Sequence, residues 1–139
     1  MNTLASSLIA CSAAIIALLG AAHLWITFRS NKLHPRDANL MARMIEVPLV
    51  LTRQTTMWKA WIGFNASHSY GALLFGAVFG YLALFHGAFL FESRFLLWLG
   101  FAFLLGLLVL GKLYWFSVPF RGIALATALY AAALVSIFI

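Results

Sequence analysis

The sequence predicts an all-α membrane protein, a bundle of four transmembrane helices with an amphipathic cytoplasmic segment between helices 1 and 2. Three observations lead to this prediction. Of the 139 residues, 65% are hydrophobic and only 9% are charged, the mean hydropathy is +1.02, and the length accommodates about four spans of roughly 20 residues. Because a soluble domain of this size could not bury so much apolar surface, we expect a single transmembrane domain over residues 1–139.

The predicted spans cover residues 3–28, 58–85, 95–116 and 120–139, with a tight turn at 117–122 before the last one. Small residues recur at every fourth position in two of these spans, a pattern that allows neighbouring helices to pack closely. They are Ala72, Gly76 and Gly80 in the second span and Ala124, Ala128 and Ala132 in the fourth.

The connection between the first two spans is long and contains its own helical pattern. Pro35 and Asp37 offer a helix start. The apolar residues that follow, Leu40, Met41, Met44 and Ile45, alternate with charged ones at helical spacing. Pro48 ends or kinks the segment. We therefore expect an amphipathic helix that lies on the membrane surface or caps the bundle.

The distribution of charge predicts an orientation. The first connection carries six basic and two acidic residues, the second carries one of each, and the third carries two basic residues and none that is acidic. Basic loops stay on the cytoplasmic side, so loops 1 and 3 are expected there, with both termini outside the inner (plasma) membrane. The net charge is +6. The basic residues flank the spans and do not form a basic face with stacking aromatics, so we do not expect nucleic acid as a partner. Membrane lipids are the expected partners, with other membrane subunits as further candidates.

Polar side chains concentrate in the second predicted span. Trp61, Asn65 and His68 fall at helical positions i, i+4 and i+7, so they share one face. Polar groups inside a membrane are costly, and they persist where they face a bundle interior or a cavity and find partners. This face is therefore the candidate functional site.

We expect a polar residue of the first span to lie at the same depth in the membrane as that face. His23 lies six residues before Arg29, and Asn65 lies six residues after Lys59. At 1.5 Å per residue, both are about 9 Å inside the cytoplasmic boundary. We predict a polar ligand-binding pocket made by His23, Asn65 and His68, with Trp61 as an apolar wall and Arg53 or Lys59 near its mouth.

The sequence leaves the chemistry of this site open. It contains no GxSxG, HExxH, CxxC or P-loop motif, and none of its three carboxylates lies inside a span. The leading interpretation is the binding of a lipid-like or amphiphilic ligand, with no cofactor and no metal. An accessory or assembly subunit of a larger membrane complex is the second interpretation. A haem held between His23 and His68, or isomerisation of a membrane lipid by histidine acid–base chemistry, is the third.

Several segments of the chain resemble those of a known family. They are HLWITFR at 23–29, KLHPRD at 32–37, VLTRQTTMW at 50–58, WKAWIGFNASHSYG at 58–71 and KLYWFSVPFRGI at 112–123. Together they are similar to an uncharacterised family of small bacterial four-span integral membrane proteins with a WxGFNxSHSxG pattern. The resemblance implies a four-span membrane fold and does not imply an activity.

Overall fold

The computed structural model describes residues 3–139, which form six helices and no strand. They are α1 (Thr3–Arg29), α2 (Ala38–Glu46), α3 (Met57–Phe85), α4 (Gly87–Glu92), α5 (Arg94–Tyr114) and α6 (Ser117–Phe138). Four of them, α1, α3, α5 and α6, are long and apolar enough to cross a membrane. The predicted all-α, four-helix membrane fold is confirmed, and the chain is that of a multi-pass membrane protein.

The chain divides into two compact units. The described residues of the bundle unit are 3–19 and 72–139, which include one portion of α1, one portion of α3, and all of α4, α5 and α6. The second unit, residues 20–71, contains the remaining portions of α1 and α3 with α2 between them. We call it the polar unit, because His23, Asn65 and His68 all belong to it.

The bundle unit has a continuous apolar core to which all four long helices contribute. Ile9 of α1, Leu97 and Leu104 of α5, and Tyr130 of α6 are fully buried, and Phe75 and Phe79 of α3 stack on each other with ring centroids 4.7 Å apart. Polar side chains in this core bond to backbone carbonyls of neighbouring helices. Ser12 Oγ donates to Ala126 O at 2.8 Å, and Tyr130 Oη donates to Leu97 O at 3.1 Å. Such bonds satisfy polar groups that would otherwise be costly in an apolar medium.

The small residues of α3 bring it close to α1. A Cβ added to Gly76 would lie 2.5 Å from Ala17 Cβ and 2.9 Å from the Ala13 carbonyl oxygen, and one added to Gly80 would lie 3.6 Å from Ala13 Cβ. The backbones are therefore too close at Gly76 for any side chain. The stripe Ala72, Gly76, Gly80 serves packing within this chain, as the pattern predicts.

The amphipathic segment of the polar unit forms where the sequence predicts it. Asp37 caps α2, with Oδ1 accepting from the amides of Asn39 at 2.8 Å and Leu40 at 3.4 Å, which satisfies donors that a helix start leaves free. The helix ends at Glu46, and Pro48 then pairs with Thr56 in an isolated antiparallel bridge. The chain therefore enters α3 from a closed loop.

Two connections differ from expectation. The tight turn predicted at 117–122 is wrong, because only Trp115 and Phe116 separate α5 from α6. Pro119 lies in the first turn of α6, where a backbone N–H has no helical partner, so proline does not interrupt the helix. The connection between the second and third spans contains the short helix α4, which begins directly after His86.

Replacement of Gly76 tests the close approach of α1 and α3. We expect Gly76→Ala to destabilise the protein by about 1–3 kcal/mol, since the new methyl group overlaps backbone that cannot move alone. Gly106→Ala is the matched control, because a Cβ there meets nothing within 4 Å, and it should raise stability by about 0.5–1 kcal/mol. Unfolding of the purified protein in mixed detergent micelles measures both changes. Equal stability of the two variants would contradict the packing described.

Candidate functional site

Two helices of the polar unit hold its central polar side chains. His23 projects from α1, and Asn65 and His68 project from α3, three residues apart and hence on one face. Asn65 is buried, with 8% of its surface exposed, whereas the two histidines are half-buried. The structure therefore brings together three of the six residues that the sequence nominates. Lys59 is exposed in the first turn of α3, and its place near the mouth of a pocket stays a prediction.

Asn65 is bonded through both ends of its amide. Nδ2 donates to the Trp61 carbonyl oxygen at 2.8 Å, and Oδ1 lies 3.0 Å from His23 Nε2. A carbonyl oxygen can only accept, so the amide must present its NH₂ to Trp61 and its oxygen to His23. Nε2 of His23 must then carry the proton, and in the neutral ring Nδ1 is the acceptor. Asn65 thereby selects the tautomer of His23.

His23 is held on two further sides. Its ring meets that of His68 edge to face, with the centroids 5.6 Å apart and the planes at 87°. Its backbone carbonyl accepts a hydrogen bond from Thr27 Oγ1 at 2.8 Å. Similarly, Ser69 Oγ bonds to the Asn65 carbonyl at 3.0 Å. Buried hydroxyls are thus satisfied within their own helices, while the imidazoles present partly exposed ring edges.

Trp61 joins this cluster through its backbone, and its indole ring faces elsewhere. Nε1 donates to the Leu33 carbonyl at 3.2 Å, which ties the chain after α1 to the start of α3. The ring is 41% exposed and lines an open cleft of about 250 Å³ together with Leu33, His34, Pro35 and Met44. The cavity that the Trp61 ring lines is this cleft. Its role as an apolar wall of the pocket predicted at His23, Asn65 and His68 stays a prediction.

The cleft includes residues that the sequence reasoning missed. His34 packs edge to face on Trp58 with ring centroids 4.8 Å apart, and Met44 comes from α2. A signal was present in the sequence, because Met44 lies on the apolar face of the amphipathic helix and His34 precedes Pro35. Periodicity could not show that both line one cleft with Trp61.

Arg53 lies apart from the hydrogen bonds of the cluster. It is exposed in the loop between Pro48 and Thr56, which is closed by a hydrogen bond from Met57 N to Val47 O at 2.9 Å. Its place at the mouth of a pocket therefore stays a prediction.

The ring geometry bears on the haem interpretation. Two axial histidines must leave the porphyrin plane free between them, whereas His23 and His68 touch edge to face and Nε2 of His23 is held by Asn65. The residues as arranged do not fit a bis-histidine haem. No group of three or more His, Cys, Asp or Glu side chains able to hold a metal ion occurs among residues 3–139.

In comparisons with known proteins, no family model, no curated protein and no solved structure matches the chain.

The tautomer of His23 can be measured directly. In protein labelled with ¹⁵N-histidine, we expect the neutral form of His23 to carry its proton on Nε2, with the signal assigned by its loss in His23→Phe. Asn65→Leu should weaken this preference toward that of free histidine, which already favours Nε2, since it takes away the acceptor at 3.0 Å. Predominance of the Nδ1-protonated form in the unmodified protein would contradict the hydrogen-bond directions given above.

Proposed function

We propose that the protein binds an amphiphile in the membrane and that His23 accepts a hydrogen bond from its polar head. The supporting observation is the pair of hydrogen bonds made by the Asn65 amide, one to Trp61 and one to His23. They direct the proton of His23 to Nε2 and leave Nδ1 as an acceptor on a half-buried ring. A polar acceptor inside a membrane span is energetically costly, and helix packing alone does not need one. A head group with a hydroxyl or ammonium donor matches it chemically.

The cleft at Trp61 supports the same proposal. Trp61 precedes Asn65 by one helical turn, about 6 Å along α3, and its carbonyl accepts from the Asn65 amide. A volume of about 250 Å³ is slightly below the ~300–1,000 Å³ usual for sites that enclose a whole ligand. It suits part of an amphiphile, with the remainder in lipid. His68 contacts His23 and forms the other polar side of the proposed site.

A photoreactive hexadecanol with a diazirine in its chain tests the proposal. We expect it to label peptides of α1 and α3 in the detergent-purified protein. Unlabelled hexadecanol should compete about two- to tenfold better than hexadecyl methyl ether, since the ether lacks the donor and one hydrogen bond contributes about 0.5–1.5 kcal/mol.

Histidine variants provide the matched controls for this labelling. His23→Phe keeps a ring and removes both nitrogens, so it should abolish the advantage of the alcohol over the ether. His86→Phe alters a histidine of the bundle unit that pairs with Tyr81 and should leave the advantage intact. Equal competition by alcohol and ether in the unmodified protein would refute the proposed role of His23.

A second candidate function is that of a subunit in a larger membrane complex. The observation in its favour is that the two small-residue stripes differ: that of α3 packs within the chain, whereas Ala128 and Ala132 of α6 are exposed. Exposed small residues allow another helix to approach. Under this reading, Ala128→Phe should release polypeptides that co-purify with the unmodified protein, and His23→Phe should not.

We propose the orientation that the basic loops indicate, in an inner (plasma) membrane with loops 1 and 3 cytoplasmic. Alkaline phosphatase, which is active only outside the cytoplasm, should be active when fused after Ile139 and inactive when inserted after Gln54 in the first connection. The reverse pattern would overturn the orientation while leaving the fold as described.

A further inference from the structure

The bundle unit carries a second cavity, on the outside of α5 and α6. It is an open groove of about 470 Å³ beside the end of α5 and the start of α6, a size within the ~300–1,000 Å³ of small-molecule sites. The residues that line it are Leu108, Val109, Lys112, Leu113, Phe120 and Ala124. Along α5 it extends from Leu108 to Leu113, about 8 Å at 1.5 Å per residue.

The lining combines apolar walls with one cation. Aliphatic and aromatic side chains form the walls, and the Lys112 ammonium lies 5.6 Å from the centre of the Phe120 ring. A cation at this distance over a ring face is attracted by it, which keeps the charge at the groove. Arg121 follows Phe120 directly and is exposed.

The positive charge has no carboxylate partner on its own helices. The last acidic residue of the sequence is Glu92, before α5 begins, so α5 and α6 contain only basic charge, at Arg94, Lys112 and Arg121. Lys112 lies two residues before the end of a helix that can span a membrane, where lysine reaches the headgroup layer. The charge is therefore placed to meet an anion supplied from outside the chain.

We propose that this groove binds an anionic phospholipid, with the upper part of one acyl chain between α5 and α6 and the phosphate at Lys112. Charge complementarity selects this occupant over a partner helix, because an apolar helix would leave the ammonium covered and unpaired. The site is independent of His23, Asn65 and His68, so it does not depend on the function proposed above.

Native mass spectrometry of the full chain in mild detergent tests the proposal. Phosphatidylglycerol and phosphatidylcholine with identical acyl chains are added separately. We expect phosphatidylglycerol to be retained about fivefold more tightly, the factor that corresponds to about 1 kcal/mol for one basic residue near a membrane surface. Lys112→Gln should abolish this preference. Arg94→Gln, which removes one positive charge at the opposite end of α5, should keep it.

A second variant tests the groove without changing charge. Ala124→Trp fills the groove from α6 and should reduce retention of both lipids while the net charge stays the same. Lys112→Arg should keep the preference for phosphatidylglycerol. Lys112→Met, which also removes the charge, replaces Lys112→Gln in the comparison if that variant does not fold. Three results would overturn the proposal: equal retention of the two lipids by the unmodified protein, a preference that survives Lys112→Gln, or retention of both lipids that Ala124→Trp leaves unchanged.

Discussion

An amide side chain inside an apolar layer must find a partner for its oxygen and for its nitrogen, and Asn65 does so on two different helices. Its Nδ2 donates a hydrogen bond within α3 to the Trp61 carbonyl, and its Oδ1 accepts a hydrogen bond from Nε2 of His23 in α1. Interhelical hydrogen bonds in membranes contribute roughly 0.6–1.7 kcal/mol each, so the bond is worth little to stability alone. Its larger effect is on direction, because it orients an imidazole and selects the nitrogen that carries the proton.

The two units satisfy their polar groups in different ways. In the bundle unit, the hydroxyls of Ser12, Thr127 and Tyr130 donate to backbone carbonyls. These bonds are buried, and a side chain to side chain bond of this unit, between His86 and Tyr81, is exposed. In the polar unit, a buried amide bonds to the side chain of another helix, and two half-buried imidazoles lie beside it. The proposed amphiphile site belongs to the polar unit for this reason.

The two proposed sites select ligands of different chemistry. The proposed acceptor of the His23 site is Nδ1, which suits a head group with a donor. The groove at Lys112 offers a positive charge beside apolar walls and suits an anion with a hydrocarbon chain. A neutral alcohol would thus favour the His23 site, and an anionic lipid whose head group has no hydrogen-bond donor would favour the groove. Substitutions in one site are not expected to affect the other, because the two sites share no residue.

Much of the architecture could be predicted because it depends on local patterns. Apolar runs of membrane length predict α1, α3, α5 and α6, and the Asp37 cap predicts α2. The equal depth of His23 and Asn65 follows from counting residues inward from Arg29 and Lys59, and their hydrogen bond agrees with it. The turn before α6 could not be predicted from Pro119, since proline is compatible with both a turn and the first turn of a helix.

The sequence by itself determined α2 and the four long helices, their order and the placement of small residues, because each is a property of one segment. Only the tertiary structure decided which neighbour each face meets. It bonded the indole of Trp61 to the Leu33 carbonyl, directed the Gly76 stripe inward while Ala128 stays exposed, and set Lys112 over Phe120. The physical reason is that helical periodicity defines a face, whereas rotamers and packing between distant segments define its partner.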